Sequence, residues 1–492
     1  MWTTWKSIFA STLALGTMLA PGVSFAQSPV DTPAGAYLPP QAKHAITEGK
    51  VPKPFNKHKK NQRVTRGPIH PNYKMHVTYD SQNHIINGKL SVTFTNNTGV
   101  RLNEVYFNLW GNAANFRTNG GGMDVKNVKV NGKTANHHLQ ETALHIDATL
   151  PKNRKSTVSM DFTVHVPKGQ DRFGWDGDTV SLGNWFPILA VYDDEGWNVD
   201  PYFPYGESFY SLTGNFDVTV TTDKKQVIAA TGTEIGKPKL KGNLATHRYI
   251  AKQVRDFAME MNPNYKIIST TVNKVKVNVY YAEEHAKFSQ DLLQSGVDSM
   301  KLFSEKFGAY PWPELDVVSM KGWFGGMEYP QLVMISLRDN ATPAWVRSVN
   351  AHEIGHQWFY GIIGNNEYDE AWLDESFATF AAALYDNELD QLTAEPIPGF
   401  HLSHPISYFT AYGQEGINAY YDTVYDYGAR TLNDLRKLLG DKQFYASMQA
   451  YYKQKKFDIT TTKDFIRIME QTSGRDLDKF FAEHYVFVSD QE

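Results

Sequence analysis

His352-Glu353-Ile354-Gly355-His356 lies inside an apolar-periodic stretch from Val349 to Leu384, and Glu375 follows nineteen positions after His356. Residues four apart stack on one side of a helix, so a helix here aims both imidazoles the same way. Two imidazoles so placed can close on one zinc ion, with Glu353 a helical step away on the same wall. A catalytic zinc needs a third protein ligand and an open position for water. Glu375, on the next helical segment, can supply that carboxylate. A bare string of this kind also arises on surface helices with two solvated histidines. The carboxylate at this distance, and the helical pattern on both sides, favour the metal.

The chain contains no cysteine, so disulfides, thiolate metal sites and cysteine nucleophiles are excluded. Zinc must then be held by His and carboxylate, which suits a catalytic site better than a structural one. At 492 residues the chain is too long for one ordinary core, and two or three domains are expected. A formal net charge of -4 does not describe a polycation built for nucleic acid.

Residues 1–26 read as a signal peptide. Lys6 supplies a positive n-region, Ile8 to Ala20 is mostly apolar, and Ser24-Phe25-Ala26 offers a cleavage site after Ala26. An uncleaved anchor is the other reading. No later stretch is long and apolar enough to span a bilayer. A secreted or extracytoplasmic protein is therefore expected, and export without disulfides points to a bacterial source. Residues 27–66 form a Pro- and Lys-rich linker with eight Lys or Arg against two acidic residues. This basic arm reads as a solvated tether, with a weak contact to an anionic cell surface as the alternative.

From Tyr73 to about Ile268 the pattern has the period of a β-strand. Val158, Met160, Phe162, Val164 and Val166 alternate with mostly polar neighbours, and Phe216, Val218 and Val220 repeat this. Asn87-Gly88 and Asn131-Gly132 read as hairpin turns. The aromatic segment from Asn184 to Tyr210 reads as packing under a long loop or as a pocket rim. After Lys274 the period changes. A strand at Val275 to Val279, an amphipathic helix from Glu284 to Phe307, and strands at Leu315 to Met320 and Leu332 to Ile335 precede a mostly helical remainder. The expected fold class is α+β, with an antiparallel β-sandwich or saddle over 67–270 and a mainly helical domain over 271–492. His401 and His404 read as packing, Asn96 opens a glycosylation sequon, and nothing singles out Arg430.

Four segments together resemble the M1 family of zinc metallopeptidases, the gluzincin aminopeptidases related to leukotriene A4 hydrolase and aminopeptidase N. They are the His352–His356 string with Glu375, Gly325-Gly326-Met327-Glu328-Tyr329, Val424-Tyr425-Asp426-Tyr427-Gly428-Ala429, and Val254-Arg255-Asp256-Phe257-Ala258. The second resembles the family's Gly-x-Met-Glu-Asn motif, the third its Tyr-Glu-Lys-Gly segment, and the fourth the end of its N-terminal β-domain. The resemblance implies a saddle-like β-domain followed by a thermolysin-like catalytic domain, without the large C-terminal helical domain of many relatives. Tyr329 stands where the family has Asn, Asp374 and Ser376 replace Asn and Gly, and Asp426-Tyr427 replaces Glu-Lys. These departures bear on fine specificity more than on the chemistry.

The expected activity is removal of N-terminal residues from peptides, with one Zn²⁺ per chain held by His352, His356 and Glu375. Glu353 is expected to take a proton from water and pass it to the leaving amine. The resemblance implies that Tyr425 donates its O–H to the developing oxyanion. Glu328 can pair with the free α-ammonium of a peptide, which an internal segment lacks. Gly325, Gly326 and Met327 complete the expected substrate-binding set, the glycines letting backbone run close to the peptide. Two alternatives are a zinc endopeptidase of the thermolysin kind and a non-catalytic peptide-binding protein with the same fold.

Overall fold

The computed structural model describes residues 66–488. The expected signal peptide, and all of the basic arm except Arg66, lie outside the described residues. Among the described residues no helix is long and apolar enough to cross a membrane.

A nine-stranded sheet carries the N-terminal half. Its central strand, Ile69–Asp80, buries every second residue, including Tyr73, Met75, Val77 and Tyr79. That period-2 burial is what one apolar and one wet face produce. Ile85–Thr95 and Lys155–His165 continue the sheet in antiparallel order, and Val158, Met160, Phe162 and Val164 face the core. Smaller sheets pack around this one.

Two expectations need correction. Gly214–Asp223 pairs with Ile69–Asp80 in parallel, so the domain is not purely antiparallel. Asn87-Gly88 is no turn: both residues sit inside Ile85–Thr95, opposite Thr78 and Val77. Gly88 is there because the Phe162 ring covers it, and a Cβ would come within 2.3 Å of that ring. Asn131-Gly132 does turn the chain, both residues having positive φ, between Gly122–Val130 and Lys133–Thr134. The Asn96 amide is buried and donates to the carbonyls of Val100 and Leu150, so the sequon asparagine is structural.

The C-terminal half begins with a five-stranded mixed sheet. Val275–Tyr281, Glu314–Met320 and Leu332–Ser336 run parallel, flanked by the antiparallel strands Lys266–Val272 and Gly326–Met327. Helix Ser289–Lys306 and helix Pro343–Gly355 pack against this sheet, helix Trp372–Tyr385 packs against those two helices, and further helices follow to Glu483.

The halves are joined through buried polar groups. Arg255 donates to the carbonyls of Ser211, Tyr360 and Asp458, so one guanidinium ties three distant segments. Tyr329 Oη donates to Asn184 Oδ1 at 2.7 Å, and Asn184 Nδ2 donates to Asp256 Oδ2 at 2.6 Å. The Tyr-for-Asn departure at 329 thus reaches the N-terminal half, over a Gly183 whose Cβ would collide with the phenol oxygen.

Candidate metal and peptide site

The helix carrying His352 starts at Thr342, whose hydroxyl accepts from the Trp345 N–H, with Pro343 in its first turn. Gly355 lets it approach the helix carrying Glu375. A Cβ at Gly355 would lie 3.1 Å from Ala381 Cβ and 3.2 Å from Ala378 Cα. This small-residue contact brings the Glu375 carboxylate up to the imidazoles.

Glu375 Oε2 lies 3.3 Å from His352 Nε2 and 3.2 Å from His356 Nε2, and the two nitrogens are 3.2 Å apart. All three side chains are buried. A tetrahedral zinc with bonds of about 2.0–2.1 Å spaces its ligand atoms about 3.3–3.4 Å apart. The three atoms therefore fit the edges of one zinc tetrahedron, and Glu375 Oε2 has no well-aligned hydrogen-bond donor. His356 Nδ1 lies 3.1 Å from the Phe359 carbonyl, a contact that fixes the ring and leaves Nε2 for the metal. Burial opposes ionisation of Glu375, but His356 and His352 outweigh it and hold the carboxyl below its usual range.

A cleft of about 500 Å³ opens at this triad. Glu353 and Tyr425 line it, as the expected base and oxyanion donor must. Tyr425 sits in a π-helical turn, Tyr421–Tyr427, and its hydroxyl donates to Glu375 Oε1. Ser376 Oγ donates to the Val424 carbonyl at 2.6 Å, tying that turn to the Glu375 helix. Gly428 leaves room for this serine, since its Cβ would collide with Ser376 Oγ.

Strand alternation divides the Gly325–Tyr329 segment. Gly326 and Glu328 line the cleft. Met327 points the other way into the core, and Gly325 is absent from the lining, its carbonyl accepting from the Ser336 N–H. Gln357 holds the segment: its amide donates to the carbonyls of Glu328 and Tyr329 and accepts from the Gln331 N–H.

Two charged residues of the site went unread in the sequence. Glu207 and Arg172, both buried, come from the N-terminal half and line the same cleft. Arg172 Nη1 donates to Glu207 Oε1 at 2.8 Å. Ligand oxygens of Glu207, Glu328 and Glu375 lie within 4.8 Å of one another. Glu207 Oε2 and Glu328 Oε1 are buried without a hydrogen-bond donor. Glu207 belongs to the aromatic segment Asn184 to Tyr210, and the only signal was an acid among apolar neighbours. Burial pushes the carboxyls of Glu207, Glu328 and Glu353 above their ordinary range, and repulsion from the neighbouring Glu375 carboxylate adds to it in each. Cations placed among them relieve both costs.

The remaining candidates lie elsewhere. His401 and His404 stack at 4.5 Å, and the His404 ring also stacks on Tyr408. Arg430 pairs with Glu395 and Asp434.

Residues 292–485 match the peptidase family M1 domain. Aminopeptidase M1-D of Oryza sativa subsp. japonica is 27% identical over 232 residues, 42% of this chain and 26% of that protein. Aminopeptidase M1 of Arabidopsis thaliana is 25% identical over 322 residues, 60% of this chain and 36% of that protein. The chain thus spans about a third or less of the length of these curated relatives. A mutant M1 zinc metallopeptidase from Deinococcus radiodurans, bound to a Tyr-Ser-Ala substrate, superposes with a TM-score of 0.62 at 15% identity, covering 86% of this chain and 94% of that one.

Proposed function

We propose, from the match of residues 292–485 to the peptidase family M1 domain, that this chain is a secreted zinc aminopeptidase removing N-terminal residues from peptides. The reading divides it into a signal peptide over 1–26, a basic arm over 27–66, a β-domain over 67–270 and a catalytic domain over 271–492. One zinc per chain is held by His352, His356 and Glu375. When bound, it supplies Lewis acidity, which makes water a competent nucleophile near neutral pH and polarises a peptide carbonyl.

The chain's own residues supply the rest. Glu353 takes the proton from water and delivers it to the leaving amine. The Tyr425 hydroxyl turns to the carbonyl oxygen as negative charge develops there, a contact worth most in the transition state. Glu328 and Glu207 receive the α-ammonium, which sets the first peptide bond over the metal triad.

One observation carries the exopeptidase reading: Glu328 Oε1 and Glu207 Oε2 are buried, without donors, beside the triad. An internal peptide segment brings no cation and leaves both desolvated charges unmatched. A thermolysin-like endopeptidase has no use for that pair. The Tyr-Ser-Ala substrate on the Deinococcus radiodurans structure accords with a peptide ligand. The test compares matched free and N-acetylated peptides. The free peptide is expected to be shortened from its first residue and the acetylated one spared. Equal cleavage of both defeats the reading.

A further inference from the structure

We propose that Trp323, held across the cleft by Asp171, is the specificity-determining wall for the side chain of the peptide's first residue, and that favoured substrates carry a large apolar or aromatic residue there. The inference rests on the aminopeptidase reading and names its substrate class.

The metal triad, Glu353, Tyr425 and the two ammonium-binding carboxylates account for seven lining residues. Arg172, Gly206, Trp323, Phe324, Gly326 and Tyr421 are left. Gly326 is covered by Glu353, and Arg172 is engaged by Glu207. Apart from Gly206, the remaining wall is aromatic: Trp323, Phe324 and Tyr421.

That wall lies where the first side chain must go. The Arg172 guanidinium joins Glu207 at 2.8 Å and sits 5.7 Å from the centroid of the Phe324 ring. Phe324 is thus one side chain away from an ammonium-binding carboxylate. In the peptide, the ammonium nitrogen and Cβ share one Cα and are about 2.5 Å apart. A residue held by its ammonium therefore presents its side chain to Phe324 and to Trp323, which meets Phe324 edge to face at 5.7 Å and 81°.

Trp323 forms the outer part of this wall, with 38% of its surface exposed. Its indole N–H donates to Asp171 Oδ2 at 3.0 Å. Asp171 precedes Arg172 in the N-terminal half, while Trp323 belongs to the catalytic half, so this bond sets the width of the cleft mouth. Arg338 Nη2 donates to the Trp323 carbonyl at 2.6 Å and holds the backbone from behind. Flat or bulky apolar side chains lose water against such a surface. An acidic first residue would add a carboxylate beside Glu207, Glu328, Glu353 and Glu375, with Arg172 already paired.

The test uses the full-length zinc-loaded protein and peptides X-Ala-Ala with X = Phe, Leu, Ala or Asp. Zinc content and melting temperature are recorded for every variant. The parent is expected to prefer Phe and Leu over Ala by about 10- to 100-fold in kcat/KM, with Asp poorest. W323A should cut the Phe/Ala ratio about tenfold or more, chiefly through KM for Phe. W323F and D171A should each reduce the ratio part-way, and their combination should add little, because both remove the same bond. D171N retains an acceptor and should keep most of the ratio. An unchanged ratio in W323A, an equal loss for every X, or an unaltered D171A overturns the proposal. A zinc-replete parent that cleaves no free peptide brings down the aminopeptidase reading instead, and this inference with it.

Discussion

Gly326 lies directly against Glu353: a Cβ at position 326 would stand 2.3 Å from Glu353 Oε1 and 2.5 Å from its Cγ. The glycine is therefore set by contact with the proposed base. The proposed base stands on one helix, and the glycine stands on the short strand Gly326–Met327 that leads into Glu328. A general base acts only if held within hydrogen-bond reach of its proton.

Gly326→Ala should displace the Glu353 carboxylate by about an ångström, which costs about 100-fold in kcat when positioning is the contribution lost. Zinc content should be unchanged, because the atoms nearest the added Cβ all belong to Glu353 and none to His352, His356 or Glu375. Wild-type kcat in the alanine variant would show that the carboxylate works from another position.

Glu353→Gln keeps the shape of the side chain and removes its capacity to take a proton. Hydrolysis should fall by about 10²- to 10⁴-fold or more, while zinc is retained. Metal analysis and single-turnover rates check both halves of this expectation. A glutamine variant as active as the parent removes Glu353 from the mechanism.

Glu207→Gln removes one of the two charges offered to the α-ammonium but still accepts from Arg172. KM for free peptides should rise about 10- to 100-fold, at about 1.4 kcal/mol per decade, with a smaller change in kcat. Glu328→Gln should behave alike. Were KM to stay at the parental value in both, the ammonium would have to be bound elsewhere.

Glu260, which does not line the cleft, offers a separate test. Burial raises its carboxyl to about 8, against hydrogen bonds from Ser181 and Tyr265 that favour the charge. Its folded value exceeds its unfolded value, so the folded chain keeps a proton that the unfolded chain releases. Stability from this group is full below the unfolded value and declines as pH climbs to about 8. Glu260→Gln should flatten that decline by on the order of a few kcal/mol between about pH 5 and about pH 9. Denaturant midpoints of parent and variant across that range should diverge; parallel curves would mean that Glu260 is ionised in the fold.

How much of this was written locally depends on the distance over which each feature is encoded. The pitch of a helix aims His352 and His356 together whatever surrounds them, and the alternation of Val158, Met160, Phe162 and Val164 buries one face by the geometry of an extended chain. Both are consequences of bond lengths and torsions over a few residues, so the strings alone specified the metal-binding pair and the β-rich half. Asn87-Gly88 misled because the same dipeptide serves a tight turn or a strand covered by a ring, and only Phe162, arriving from a strand paired in space, decides between them. Glu207 and Arg172 carry no periodic signature. They become part of the site only when the N-terminal half is docked through Arg255 on Tyr360 and Asn184 on Tyr329. Asp171 and Trp323, 152 positions apart, meet for the same reason. Torsional preference acts between neighbours along the chain, whereas the partners of a buried charge are settled by packing, and it was packing that set Glu207 and Glu328 beside the two imidazoles and Glu375.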